Sequence, residues 1–186
     1  MFSFISRLVN GVKGGVTAGL HGTADVASKV VEVTKNVTVS TLKETGDFAK
    51  EALDVPASVI NGAISGVSEV GVSVITALKG VVSGTMQGLI NSGVHQDVAV
   101  GGVVAQSLHS AKEMGLNVGD AAKESVNGAI DAVGQVGGDV AGATKTAVVT
   151  AVDTAKEFGE DAVQTVKDSL SNGVEGAKDI IDAMVK

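Results

Sequence analysis

Few side chains in this chain can do chemistry, and their spacing decides what they could do. There are three histidines, His21, His95 and His109, widely separated in sequence, and no cysteine, so thiolate metal sites and disulfides are excluded. Of the twenty-one acids, Asp25, Asp47, Glu69, Glu113, Glu124, Glu157, Asp168 and Asp179 recur at one position of an eleven-residue unit, and Glu32, Asp54, Asp120, Asp131, Asp153 and Glu175 at another. On a helix these two positions run as one solvated face. General acid–base work needs a carboxylate held in a cleft that shifts its affinity for protons, and a regular exposed face supplies none. The glycine-rich stretch 134–142 lacks the hydrophobic strand that would make it a phosphate cradle, and no P-loop, Gly-x-Ser-x-Gly or His-Glu-x-x-His motif occurs. The expectation is a protein with no catalytic residues, no metal and no cofactor, which is not an enzyme. A nucleic-acid partner is not expected either, because there is neither a basic face nor an aromatic stacking platform.

The elements that position the charges follow from the same unit. Lys13, Lys35, Lys79, Lys112, Lys123, Lys145, Lys156, Lys167 and Lys178 are separated by multiples of eleven, with no insertion or deletion between them. With positions numbered from Met1, the lysines fill position 2 and the acids positions 3 and 10. Position 9 reads Val9, Leu20, Val31, Leu42, Leu53, Ile64, Ile75, Met86 and so on to Val185, interrupted only by Asp97, Gly119 and Ala141. Position 4 holds Phe4, Phe48 and Phe158 among valines. The apolar positions are 1, 4, 5, 8 and 9, the spacing of a helix face rather than the alternation of a strand.

Eleven residues in three turns give about 3.67 residues per turn, so such a face barely drifts along the helix. On a wheel of roughly 98° per residue the apolar arc spans about 130°, with lysine along one edge and the acids opposite. The fold class expected is all-α: long amphipathic helices in a continuous eleven- or twenty-two-residue register, straight or weakly right-handed, extended or folded into hairpins or a bundle. Twenty-five glycines weaken an isolated helix by roughly 0.5–1 kcal/mol each relative to alanine, so the face needs something to lie against.

Four segments are expected. Residues 1–22 read as an interfacial helix, in which Phe2, Phe4, Ile5, Leu8, Val9 and Val12 gather on one side as lipid contacts and no acid appears before Asp25. Residues 23–55 continue the pattern, with Val31–Val39 able to pass for strand. Residues 56–94, after the only proline, Pro56, are poor in charge. Residues 95–186 hold fourteen acids and seven bases, against seven of each upstream, and so carry the whole net charge of −7. Breaks are expected near His21, Ser40, Pro56, Asn91–Gly102 and Asn172, with Thr41/Glu44 and Ser110/Glu113 at capping-box spacing.

Two glycine patterns point to helix packing. Gly11/Gly15/Gly19, Gly62/Gly66 and Gly80/Gly84/Gly88 have the four-residue spacing that lets backbones approach. From Gly71 onward, position 5 alternates between glycine (Gly71, Gly93, Gly115, Gly137, Gly159) and a bulky aliphatic (Val82, Val104, Val126, Val148, Leu170), a true period of twenty-two. These glycines are expected to receive a neighbouring helix, the alternative being a relic of a duplicated unit.

Units such as Thr144-Lys145-Thr146-Ala147-Val148-Val149 and Ala155-Lys156-Glu157-Phe158-Gly159 resemble the eleven-residue repeats of synucleins and perilipins and of group 3 late-embryogenesis-abundant proteins. The resemblance lies in period and composition. It implies a long helix formed on membranes, on lipid droplets or during drying, without catalysis, and hence a cytoplasmic protein peripheral to a lipid surface or a stress protectant. The chain departs from those repeats in its glycine alternation and acidic second half. Two expectations result: a structural protein coating lipid or membrane surfaces, or a self-assembling scaffold, as a homo-oligomer or part of a larger complex.

Overall fold

The computed structural model describes residues 2–21, 25–45 and 54–186, and every regular element among them is a helix. In chain order these are α1 (Phe2–Leu20), α2 (Val26–Thr45), α3 (Asp54–Glu69), α4 (Val74–Asn91), α5 (Gln96–Glu113), α6 (Val118–Gln135), α7 (Val140–Lys156), α8 (Glu160–Gly173) and α9 (Ala177–Met184). Pro56 sits in the first turn of α3, where its missing N–H is not needed. The valine-rich run 31–39 lies inside α2, so the eleven-residue phase outweighs local β-propensity there.

Successive helices fold back on one another and sort into two layers, α1, α3, α5, α7 and α9 in one and α2, α4, α6 and α8 in the other. Within a layer neighbours run parallel: Gly62 of α3 lies against Val9 and Val12 of α1, and Gly66 one turn on lies against Lys13 and Val16. Across the layers they run antiparallel, as Gly15 meets Val37 while Gly19 meets Val33. The result is a stack of helices, each about 27 Å long for eighteen residues. α4 is the most enclosed, buried without interruption from Val81 to Leu89.

The turns explain the period of twenty-two. Gly71, Gly93, Gly115 and Gly137 all have positive φ, between 70° and 93°, and each ends a helix. At α5 the N–H of Gly115 donates to the carbonyl of Lys112 (3.1 Å) and that of Leu116 to Ala111 (2.9 Å), the paired closure of a Schellman motif; the same pair recurs at Gly71, Gly93 and Gly137. The next residue but one opens the following helix: Asn117 accepts from the N–H of Asp120 (3.0 Å) and Asp139 from that of Gly142 (3.0 Å). A four-residue turn and an eighteen-residue helix make the twenty-two.

Several expectations are corrected here. Gly71, Gly93, Gly115, Gly137 and Gly159 are turn residues rather than helix-packing positions; at Gly71, Gly115, Gly137 and Gly159 a Cβ would meet nothing within 4 Å. The bulky half of the alternation is the middle of α4 to α7 and the last turn of α8, where Val82, Val104, Val126, Val148 and Leu170 are fully buried. Ser40 starts no helix and lies within α2, Gly101–Gly102 lie within α5, and Ser110 and Glu113 close α5 instead of capping a successor. Breaks near His21, Asn91 and Asn172 fall where expected. The four-residue glycine runs do mark close approach: a Cβ at Gly84 would sit 2.5 Å from the carbonyl oxygen of Val31, and one at Gly62 would sit 2.7 Å from that of Val9. Small residues spaced by one turn are what let α3 settle on α1 and α4 on α2.

Candidate functional site: the amphipathic stripe

The buried apolar side chains are the stripe. Among the described residues all of them occupy positions 1, 4, 5, 8 and 9 of the eleven-residue unit except Ala77, Ala99, Ala121, Ala132 and Ala143, which stand at position 11 beside position 1. The largest that are fully buried are Leu20, Ile60, Ile64, Leu78, Met86, Leu89, Leu108 and Leu170; the rest is mostly valine and alanine. Threaded through this core are hydroxyls. Those of Thr38, Thr85 and Ser107 bond back to carbonyls four residues earlier, at 2.7–2.8 Å. The hydroxyls of Thr17, Thr34 and Ser125 are buried and make no hydrogen bond.

The polar positions fall on the outside and bridge neighbours. Lys13 pairs with Glu69 (3.1 Å) from α1 to α3, and Lys79 with Asp131 (2.6 Å) from α4 to α6. Gln96 makes two bonds to the backbone of Asp139, donating to its carbonyl at 2.8 Å and accepting from its N–H at 2.9 Å. Gln87 donates to Gln135 (2.8 Å), and Ser110 to Asn61. His109 stands 3.5 Å from Glu157 and edge-on to Phe158, with the Lys112 ammonium over the same ring. The half-exposed ion pairs among these contribute about 0–1 kcal/mol each, so they set which helix slides against which more than they stabilise the stack.

The residues expected to touch lipid divide. The side chains of Phe2, Phe4 and Ile5 lie outside the described residues, although α1 runs through them. Leu8 and Val9 are half-buried, and Val12, 1 % exposed, is enclosed against α3 and presents nothing to solvent. A wedge of about 600 Å³ opens between α1 and α2, lined by Arg7, Leu8, Gly11, Asn36, Val37, Ser40, Thr41 and Glu44 among others. Among the described residues His21, His95 and His109 do not meet, no three His, Asp or Glu side chains come together in a way that could hold a metal ion, and no helix is long and apolar enough to cross a membrane.

The accessible surface is 8831 Å², close to the roughly 8,200 Å² of a compact monomer of this mass. Large apolar side chains left exposed are Val98, Met114, Val140 and Val185, among the described residues. Among the described residues most of the stripe is thus covered by the protein itself, with Met114, Val140 and Val185 left outside. No known protein family matches the chain, and no curated protein sequence is detectably similar to it.

Proposed function

We propose that the protein is a non-enzymatic structural protein that associates with lipid surfaces through its amphipathic stripe, and that the two-layer stack stores this stripe when no lipid is present. The observation that carries the reading is that one set of positions forms the core of every helix, so the residues that would meet lipid are the residues that meet one another. Exchanging a neighbouring helix for acyl chains keeps the apolar side chains out of water, so the exchange sacrifices little hydrophobic free energy. The stack resists weakly. Among the described residues its buried core holds no aromatic ring, and each buried hydroxyl left unbonded costs about 1–3 kcal/mol. Net charge −7 disfavours strongly anionic membranes and favours zwitterionic ones.

The test is co-flotation with small phosphatidylcholine vesicles and with vesicles containing phosphatidylserine. Association with the first that weakens with the second supports the reading; absence from both floated fractions refutes it. A second reading, a helical scaffold that keeps its stack and offers its outer faces to protein partners, is favoured by the polar bridges between layer neighbours, which fix one helix against the next without lipid. A cooperative thermal transition unchanged by vesicles is the outcome it requires.

A further inference from the structure

We propose that the stack is open at its α1–α2 end, and that this end receives the α8–α9 end of a second copy of the chain. Copies then add head to tail and continue both layers. The contact concerns the stack as it stands without lipid, so it is independent of the lipid reading above.

One packing rule joins neighbours in a layer, and α1 carries an unfilled half of it. Where α3 meets α1, α4 meets α2 and α6 meets α4, the later helix offers glycines at positions 3, 7 or 11 of the unit. The earlier helix lays positions 1, 2, 5, 8 and 9 over them: Gly62 lies against Val9 and Val12, Gly84 against Val31 and Thr34, and Gly128 against Lys79 and Val82. On α1 the receiving positions are Arg7, Gly11, Gly14 and Ala18. All four are exposed, and a Cβ at Gly11 or Gly14 would meet nothing within 4 Å. On α2 they include Asn36, Ser40 and Glu44, exposed as well. Arg7, Gly11, Asn36, Ser40 and Glu44 line the wedge of about 600 Å³ between α1 and α2, so the wedge lies where a preceding pair of helices would pack.

The other half of the rule is open at the far end. α9 is the last helix of its layer among the described residues, and Lys178 and Val185, at positions 2 and 9, are exposed, Val185 by 72 %. The layers also match. α9 belongs to the layer of α1 and α8 to that of α2, so a second copy set beyond α9 extends one layer with its α1 and the other with its α2.

Charge selects the partner and its orientation. α1 and α2 hold five bases and two acids, whereas α8 and α9 hold five acids and two bases. Two like ends repel and two unlike ends attract. Ion pairs already join neighbours within each layer, as Lys13–Glu69 and Lys79–Asp131. A stack of repeats that stands alone closes its ends with a polar outer face, yet the receiving positions of α1 carry one charged side chain, Arg7, beside two glycines and an alanine. A contact between unlike ends is heterologous and repeats along a line instead of closing at two copies.

Sedimentation velocity of the full chain in lipid-free buffer should show a mass that climbs past that of a dimer with concentration and falls back as salt is raised. Gly11→Glu and Gly14→Glu place a carboxylate where the single chain leaves open space, so circular dichroism should keep its helical signal. Each should return the protein to 18.4 kDa, because the new side chain fills the receiving flank and faces an acidic partner. Orientation is read by disulfide formation, without background in a chain that has no cysteine. Gly14→Cys mixed with Val185→Cys should join copies faster than either variant joins to itself. A mass of 18.4 kDa at every concentration, association that survives Gly11→Glu and Gly14→Glu, or faster joining of Gly14→Cys to itself overturns the head-to-tail contact.

Discussion

Glycine-to-alanine substitutions at three sites should give three different results, because the chain uses glycine for three different reasons. At Gly14, exposed on α1, a Cβ meets nothing within 4 Å and the backbone is ordinary helix, so alanine stabilises by about 0.5–1 kcal/mol. At Gly115 a Cβ also meets open space, but φ is +70°, and holding an alanine there costs about 1–2 kcal/mol. At Gly84 the backbone is helical and the space is gone: the Cβ would lie 2.5 Å from a carbonyl oxygen of α2 and 2.8 Å from the Cβ of Thr34, neither able to swing away. Parting α4 from α2 to admit it costs about 1–3 kcal/mol. With about 2–4 °C per kcal/mol for a chain of this size, lipid-free thermal melts followed by circular dichroism should rise by about 1–4 °C for Gly14→Ala. They should fall by about 2–8 °C for Gly115→Ala and about 2–12 °C for Gly84→Ala. The decisive variant is Gly115→Ala. If it raises Tm in the absence of lipid, the helix runs through Gly115 and the stack described here is wrong.

Other outcomes rest on the same structure. Gly115→Ala weakens the stack by about 1–2 kcal/mol, which should raise vesicle affinity about fivefold or more, read by flotation. Leu108→Ala removes a fully buried side chain and should cost about 2–5 kcal/mol in chemical denaturation, against no more than about 1 kcal/mol for Lys79→Ala at its exposed ion pair. Serine at Phe2, Phe4 and Ile5 should weaken vesicle binding far more than serine at Val148, Val152 and Val163, since larger side chains remove more apolar area from water; equal losses would show that the N-terminal segment is no anchor.

Much of this architecture is written in the sequence, and the part that is not has a definite reason. The stripe at positions 1, 4, 5, 8 and 9 is the core, so Val16, Leu42, Leu108 and Val174 could be named as buried before any coordinates. The glycines that allow helices to approach, Gly62, Gly66, Gly80, Gly84 and Gly88, announce themselves by one-turn spacing. Phase alone could not supply the places where the chain doubles back. A twenty-two-residue period fits six turns of unbroken helix as well as it fits a helix and a turn, and the alternation of glycine with valine is compatible with both. The cue lay in the residues just after each glycine. Gly71-Val72-Ser73, Gly115-Leu116-Asn117 and Gly137-Gly138-Asp139 each place a residue type that starts helices two positions on, where a packing glycine has no reason to have one. The cover over Val12 was illegible for a related reason: it comes from α3, which folds back over that face of α1.

The central claim is that one face serves both the stack and the lipid. It is tested most directly by attaching an environment-sensitive fluorophore at Val126→Cys, fully buried in the middle of α6, and comparing it with one at Asp131→Cys on the exposed side of the same helix. Vesicles of phosphatidylcholine carrying nitroxides on their acyl chains should quench the label at 126 strongly and the label at 131 weakly, while both variants still melt cooperatively in buffer. If the protein floats with the vesicles and the label at 126 remains unquenched, the stripe stays inside the stack and the lipid is held by some other surface.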